Sequence, residues 1–69
     1  MTLAAVTASP RTILVIEDEA PIAEAVAARL RSEGFSVEIA RDGPGGVEAA
    51  ERLHPDLVVL DLMLPGLDA

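Results

Sequence analysis

Apolar residues in this chain form three short runs, and their spacing predicts three β-strands. Residues 12–16 (TILVI) are apolar and β-branched without alternation, which is typical of a strand covered on both faces. Residues 35–40 (FSVEIA) alternate apolar and polar positions, so this strand should have one wet face or lie at a sheet edge. Residues 57–60 (LVVL) are again continuously apolar and predict a second strand covered on both sides.

Between the first two strands the apolar spacing becomes helical. Ile22, Val26 and Leu30 fall four residues apart, with two alanines beside them, and charged residues lie off this stripe. Such a stripe predicts an amphipathic helix. Pro21 suits the first turn of the helix, and Gly34 suits the left-handed position just past its end.

The segment VEAAERL, residues 47–53, predicts a second and weaker helix with Val47, Ala50 and Leu53 facing inward. Before it, the sequence Asp-Gly-Pro at 42–44 should turn the chain. Two further glycines precede Val47, and each costs about 1 kcal/mol relative to alanine inside a helix.

The predicted order is β-α-β-α-β, which favours an α/β fold with a doubly wound parallel sheet. Each helical connection is long enough to bring the chain back parallel to the preceding strand, and such crossovers are right-handed. Since the second strand reads as an edge, we expect the strand order 2-1-3. The winding direction then reverses at the first strand, and ligands of such sheets bind at the carboxyl ends of the strands beside that point.

Three acidic residues should meet at this switch point. Glu17 and Asp18 follow the first strand, and Asp61 follows the third, its neighbour at about 4.8 Å. Carboxylates this close raise each other's pKa or recruit a cation, and hard oxygen ligands favour Mg²⁺. Taken singly, Asp18 or Glu19 could instead be a cap of the helix that follows.

Composition narrows the classes of function. A formal net charge of −7, with five arginines and no lysine, argues against binding of nucleic acid or an anionic membrane by this segment. The chain contains no cysteine, which excludes disulfides and thiolate metal sites. The longest apolar run is far shorter than the roughly 20 residues of a membrane span. The first 11 residues lack the pattern of a signal peptide and are expected to be a disordered tail, with a cytoplasmic location as the default.

Two sequence motifs, one after the other along the chain, resemble those of a known protein family. ILVIEDEAPI, followed about forty residues later by PDLVVLDLMLPGLDA, resembles the receiver domain of bacterial two-component response regulators, in particular the winged-helix transcriptional (OmpR/PhoB-like) class. The resemblance covers residues 12–69, the first three strands of a flavodoxin-like (CheY-like) domain. It implies that Asp61 accepts a phosphoryl group from a sensor histidine kinase. It also implies that Glu17, Asp18, Asp61 and the backbone carbonyl of Met63 bind Mg²⁺.

The resemblance also implies that Pro65 and Gly66 shape the loop beside the site. Ala69 stands where the family usually has glycine, and the sequence ends before the remaining strands, their lysine and an output domain that binds DNA. We therefore expect impaired phosphoryl transfer, because one lost electrostatic stabiliser often costs a hundredfold or more. We also expect the third strand to be an exposed edge that favours self-association or domain swapping.

Two other functions stay open at this point. A Mg²⁺-dependent phosphohydrolase with an aspartyl-phosphate also places an aspartate after an apolar strand, but it usually has a second acid where this chain has Met63. A fragment without chemistry could act only as an assembly unit. The glycine-rich segment DGPGGVEA lacks the lysine and hydroxyl residue of a nucleotide P-loop and is better explained by a turn and a helix start.

Overall fold

The structure, a computed structural model, describes residues 11–60. The predicted β-α-β-α-β order is confirmed, with β1 at Thr12–Ile16, α1 at Ala20–Ser32, β2 at Ser36–Ala40, α2 at Gly43–Leu53 and β3 at Leu57–Leu60. The predicted tail lies outside this range except for Arg11. Within the described range neither helix has both the length and the apolar character that a bilayer crossing would require.

All three strands are parallel and lie in the order β2-β1-β3, which confirms the predicted strand order. The register brings Ile16, the last residue of β1, beside Ala40 on one side and Leu60 on the other. The three strands therefore end side by side, at one edge of the sheet. β1 is central, and its residues 13–16 are nearly inaccessible, with relative exposures from 0% at Leu14 to 7% at Ile16.

The two helices bury small residues rather than large ones. Leu14 and Ile16 of β1 pack with Ala40 and with Ala49 of α2, which covers one face of the sheet. α1 packs against β1 and β2. Its fully buried positions are Ala23 and Ala27. Because alanine adds little width, the helix backbone can lie close to the strands.

The predicted inward faces were partly wrong. Val47 is 55% exposed and Ile22 is 47% exposed, although both had been assigned to the buried stripe of their helices. In α2 the buried positions are Gly43, Gly46 and Ala49. The hydrophobic spacing alone placed the largest residues inside, whereas the sheet is approached by the smallest residues on a neighbouring stripe of each helix.

α2 also begins four residues earlier than predicted, at Gly43. The Asp42 side chain accepts a hydrogen bond from the Gly45 backbone N–H at 2.6 Å, so Asp42 is the N-cap of the helix. Pro44 lies in the first turn, where its missing N–H leaves no helical bond unmade. The expected turn is therefore the first turn of the helix.

Both helix ends use the left-handed region of backbone conformation. Gly34 follows α1 with φ of 99°, as predicted. His54 ends α2 with φ of 49° and ψ of 60°, and its N–H donates to the Ala50 carbonyl at 3.0 Å. A residue with a Cβ pays about 1–2 kcal/mol for this conformation, a cost that glycine does not bear.

The edge strand β2 is tied to α2 by charged side chains. Arg52 donates hydrogen bonds to Glu38 of β2 at 2.5 Å and to Glu48 of its own helix at 3.4 Å. The hydrogen bond that Arg52 donates to Glu38, together with the attraction of the same carboxylate, raises the pKa of Arg52. Because these side chains are about half exposed, their ion pairs contribute little to stability. They lie on the solvent-exposed face of β2 that its alternating sequence predicts.

β3 is much more exposed to solvent than β1. Leu57, Val58 and Leu60 are 55%, 42% and 44% exposed. Within the described residues neither helix contacts β3. The start of the strand is fastened to β1, because Asp56 accepts a hydrogen bond from the Thr12 N–H and donates one to the Thr12 carbonyl, each at 2.8 Å. The sequence pattern predicted cover on both faces, which is wrong for this part of the chain, whereas the expected exposed edge is present.

Candidate functional site

The site predicted from the sequence lies at the carboxyl ends of the strands. Parallel pairing brings the ends of β1 and β2 to the same edge, and the Glu17 N–H donates to the Ala40 carbonyl at 3.0 Å, one step beyond the last paired residues. Glu17 and Asp18 therefore leave the sheet at the point where its winding reverses. This is the position at which doubly wound sheets bind ligands.

Glu17 is a buried charged residue, with 9% of its surface exposed. Its carboxylate Oε2 accepts a hydrogen bond from the Glu19 N–H at 3.2 Å. A buried carboxylate must be compensated by hydrogen bonds or by positive charge, because its desolvation is costly. The sequence placed Glu17 at the strand end, but its burial became evident only in the structure.

The alternative that the acids are ordinary helix caps finds little support. Glu19 is the N-cap residue of α1, but its side chain accepts no hydrogen bond from the helix. Asp18 is exposed. The cap of α2, by contrast, is formed by an Asp42 side chain with a short hydrogen bond. The exposed carboxylate of Asp18 is therefore an acid at the edge of the sheet that follows β1 without serving as a helix cap.

Several predicted site residues lie outside the described residues: Asp61, Met63, Pro65 and Gly66. Between residues 11 and 60 no group of three or more His, Cys, Asp or Glu side chains is arranged to hold a metal ion. Glu17 and Asp18 nevertheless match the chemistry of Mg²⁺, which takes oxygen ligands and needs only one or two carboxylates from a protein. The oxygen donors present at this edge fit a magnesium ion.

The same edge also carries a cation that is not part of the motifs of the predicted site. Arg41 directly follows Ala40, the last residue of β2, and its side chain is exposed. The signal was present in the sequence, because any residue that directly follows a strand of a parallel sheet lies at the carboxyl edge. The glycine-rich segment after it starts α2, which agrees with the helix-start explanation rather than a phosphate loop.

Comparison with known proteins identifies the family. Residues 13–68 match the model of the response regulator receiver domain. The chain is 50% identical over 62 residues to the probable transcriptional regulatory protein TcrX of Mycobacterium tuberculosis, covering 86% of this chain and 26% of that protein. It is 48% identical over 56 residues to the DNA-binding response regulator MtrA of Mycobacterium tuberculosis, covering 81% and 25%.

A third relative is the sensory transduction protein RegX3 of Mycolicibacterium smegmatis, 45% identical over 56 residues, with 81% of this chain and 25% of that protein covered. The chain thus spans about a quarter of the length of the curated relatives it matches. The matched residues include every described strand and helix except the first residue of β1. This chain belongs to the receiver domain family of response regulators, a family of signalling proteins.

Proposed function

We propose that this chain is the N-terminal part of a phospho-accepting receiver module, residues 12–69, preceded by a disordered tail. In this proposal Asp61 accepts a phosphoryl group from a phosphohistidine on a sensor histidine kinase. The observation that carries the proposal is the pairing of Ile16 with Leu60, because the next residues in sequence are Glu17 and Asp61. Neighbouring strand ends are about 4.8 Å apart, which is close enough for both carboxylates to serve one site.

Glu17, Asp18 and Asp61, with the backbone carbonyl of Met63, would hold Mg²⁺. When bound, the ion neutralises negative charge on the phosphoryl oxygens, which otherwise repel an attacking carboxylate. The burial of Glu17 and its hydrogen bond to the Glu19 N–H support a fixed first ligand. Exposed Asp18 is free to adjust its position as the phosphoryl group arrives.

The chemistry assigned to Asp61 is a transfer between two nucleophiles. Its carboxylate oxygen forms a bond to phosphorus while the bond from phosphorus to the histidine nitrogen breaks, and the imidazole leaves with the electron pair. The leaving ring nitrogen takes up a proton from water, so the products are an aspartyl phosphate and a neutral histidine. This self-assisted transfer is the extent of the catalysis that we propose, and it changes the charge at the crevice by about one unit or more.

The regulated process would be transcription. MtrA is named as a DNA-binding response regulator and TcrX as a probable transcriptional regulatory protein. With a net charge of −7 this segment is poorly suited to bind DNA, so the DNA contact would belong to a separate output domain in a cytoplasmic protein. Phosphorylation would change the population of states that such a domain senses.

The proposal is tested by metal binding and by transfer, measured separately. Calorimetric titration with Mg²⁺ should show binding to the wild-type chain that is weakened about tenfold or more in Asp18→Asn and Asp61→Asn, because each loses a charged ligand. Glu51→Gln is a matched control, since Glu51 is exposed on α2 and its replacement removes the same charge away from the edge. Circular dichroism of each variant separates a lost ligand from a lost fold.

Transfer is measured by incubation with acetyl phosphate and Mg²⁺, followed by mass spectrometry. We expect a low yield of one phosphoryl group per chain, absent in Asp61→Asn, because no lysine is present to stabilise the transferring group. Phosphorylation at another residue, or Mg²⁺ binding that is unchanged in both aspartate variants, would contradict the proposal. Release of inorganic phosphate from phosphate esters would favour the phosphohydrolase instead.

A further inference from the structure

Arg41 directly follows β2 and lies close in the backbone to Glu17, a residue far from it in the sequence. The peptide that joins Ala40 to Arg41 accepts the Glu17 N–H through the Ala40 carbonyl, at 3.0 Å. Arg41 therefore begins one hydrogen bond away from the buried acid of the candidate site. Its side chain is exposed, and in the described part of the chain it makes no ion pair.

The other four arginines are placed differently. Arg29 pairs with Glu33 at 2.7 Å, and Arg31 donates to the Val37 carbonyl at 3.0 Å. Arg52 bonds Glu38 and Glu48. Arg11 precedes β1 and so lies at the opposite, amino edge of the sheet. The chain contains no lysine, and among the three described strands only β2 is directly followed by an arginine, Arg41.

We propose that Arg41 is a positioning residue that sets the electrostatic field of the candidate site. It attracts the doubly negative phosphoryl group of a donor toward the β2 side of the crevice, and it weakens the affinity for Mg²⁺ at the same time. This inference rests on the proposed function, because it takes Glu17 and Asp18 as the metal ligands. It adds a cation that follows β2 to the two acids that follow β1.

The expected size follows from distance. One strand spacing is about 4.8 Å, and we take about two such spacings, roughly 8–10 Å, as the separation between the Arg41 guanidinium and an ion held at the end of β1. Across water such a separation between a divalent and a monovalent cation changes the binding constant about two- to fourfold at low salt. The effect should nearly vanish at about 1 M salt, where the Debye length is about 3 Å.

The experiment compares Mg²⁺ titrations of the wild-type chain with Arg41→Gln, Arg41→Lys and Arg11→Gln. Arg11→Gln is the matched control, because it removes the same charge from an exposed arginine at the far end of β1. We expect Arg41→Gln to bind Mg²⁺ about two- to fourfold more tightly at low salt. Arg41→Lys should stay near the wild-type value, and Arg11→Gln should change it by less than about 1.5-fold.

A second measurement addresses the anion. With Mg²⁺ held at saturation, inorganic phosphate is titrated while the amide signal of Asp18 is followed by NMR. Arg41→Gln should require about two- to fourfold more phosphate for the same shift, whereas Arg41→Lys should not. If Arg41 acted only by supporting the fold, Arg41→Gln would change the affinities for Mg²⁺ and for phosphate in the same direction. An electrostatic role predicts tighter binding of Mg²⁺ and weaker binding of phosphate.

The outcomes separate the two proposals. Equal Mg²⁺ affinities for wild type, Arg41→Gln and Arg11→Gln at low salt would overturn the role of Arg41 and leave the metal site intact. Equal shifts in Arg41→Gln and Arg11→Gln would mean that only net charge matters, which also overturns it. Absence of Mg²⁺ binding in every protein would contradict the metal site itself, and the inference about Arg41 with it.

Discussion

β1 and β3 are neighbouring parallel strands built from the same aliphatic residue types, and they differ in how much of each is buried. Leu14 of β1 is fully buried, whereas Val58, its partner across the ladder, is 42% exposed. At the carboxyl end Ile16 is 7% exposed and its partner Leu60 is 44% exposed. The apolar pattern of the sequence predicted cover for both strands.

The difference lies in what packs against each strand. β1 has a strand on either side, and both helices contact it, whereas β3 is paired with β1 and has no helix against it among the described residues. A run of aliphatic residues therefore indicates that a strand is suited to burial, but the burial itself requires packing partners. Most of the hydrophobic stabilisation of this part of the molecule should come from β1.

The largest expected effect on stability compares two residues paired across the ladder, Leu14 of β1 and Val58 of β3. Leu14→Ala should lower the free energy of unfolding by about 2–5 kcal/mol, because it leaves a cavity between β1 and α2. Val58→Ala, on the same face of the sheet, should cost about 1 kcal/mol or less, because its side chain is already partly in water. Urea unfolding followed by circular dichroism measures both.

A small domain can lose its whole stability to the first of these changes. Ile16→Val, expected to cost about 0.5–1.5 kcal/mol, then provides a measurable step on the same strand. Equal losses for the β1 and β3 variants would contradict the conclusion that burial differs between the two strands.

An intermediate effect tests how closely α2 lies over β1. A Cβ added at Gly46 would overlap Ile16 Cδ1 and lie 3.0 Å from Ile16 Cγ1, so Gly46→Ala should destabilise by about 1–3 kcal/mol despite the better helix propensity of alanine. The double variant with Ile16→Val removes the overlapping Cδ1 atom and should recover part of the loss. A double-mutant cycle measures this coupling.

Gly45→Ala is the matched control for that cycle. Its added Cβ would meet Oδ1 of Asp42 at 2.9 Å, an atom of the exposed N-cap side chain of α2 rather than of a packed core residue. We expect its effect to stay within about 1 kcal/mol. A Gly46→Ala chain as stable as the wild type would mean that α2 can move away from β1 at little cost.

The smallest effect concerns the edge of β3. The strand contains neither charge nor proline, and such edges pair with other chains. We therefore expect the wild-type chain to self-associate at high concentration and Val58→Lys to reduce this association, with a change in stability within about 0.5 kcal/mol. Analytical ultracentrifugation over a concentration series measures it.

Val47→Lys is the control for this prediction, because Val47 is as exposed as the β3 residues but lies on α2, away from the edge. It should leave the association unchanged. A compact wild-type monomer at all concentrations would show that exposure of β3 does not lead to association.

The difference between an apolar sequence and the packing partners that bury it also explains which features of the structure could be predicted from the sequence. Strand and helix order, the parallel sheet and the end of α1 just before Gly34 followed from local signals, because hydrophobic spacing and glycine conformations act over a few residues. Of the predicted inward residues of α2, Ala50 and Leu53 pack against the core, but Val47 does not. Spacing alone cannot tell a stripe containing Val47 from its neighbour containing Gly46 and Ala49. The close approach of α2 to Ile16 decides between them.

For the candidate site, the sequence by itself determined which residues carry oxygen atoms at strand ends, and the two motifs around Glu17 and Asp61 indicated the family that the comparisons confirm. Only the tertiary structure decided that Glu17 is buried and that Arg41 begins one hydrogen bond from it. Local sequence sets the type and order of the elements through short-range geometry. Burial and charge environment depend on residues far apart in the chain, which only folding brings together.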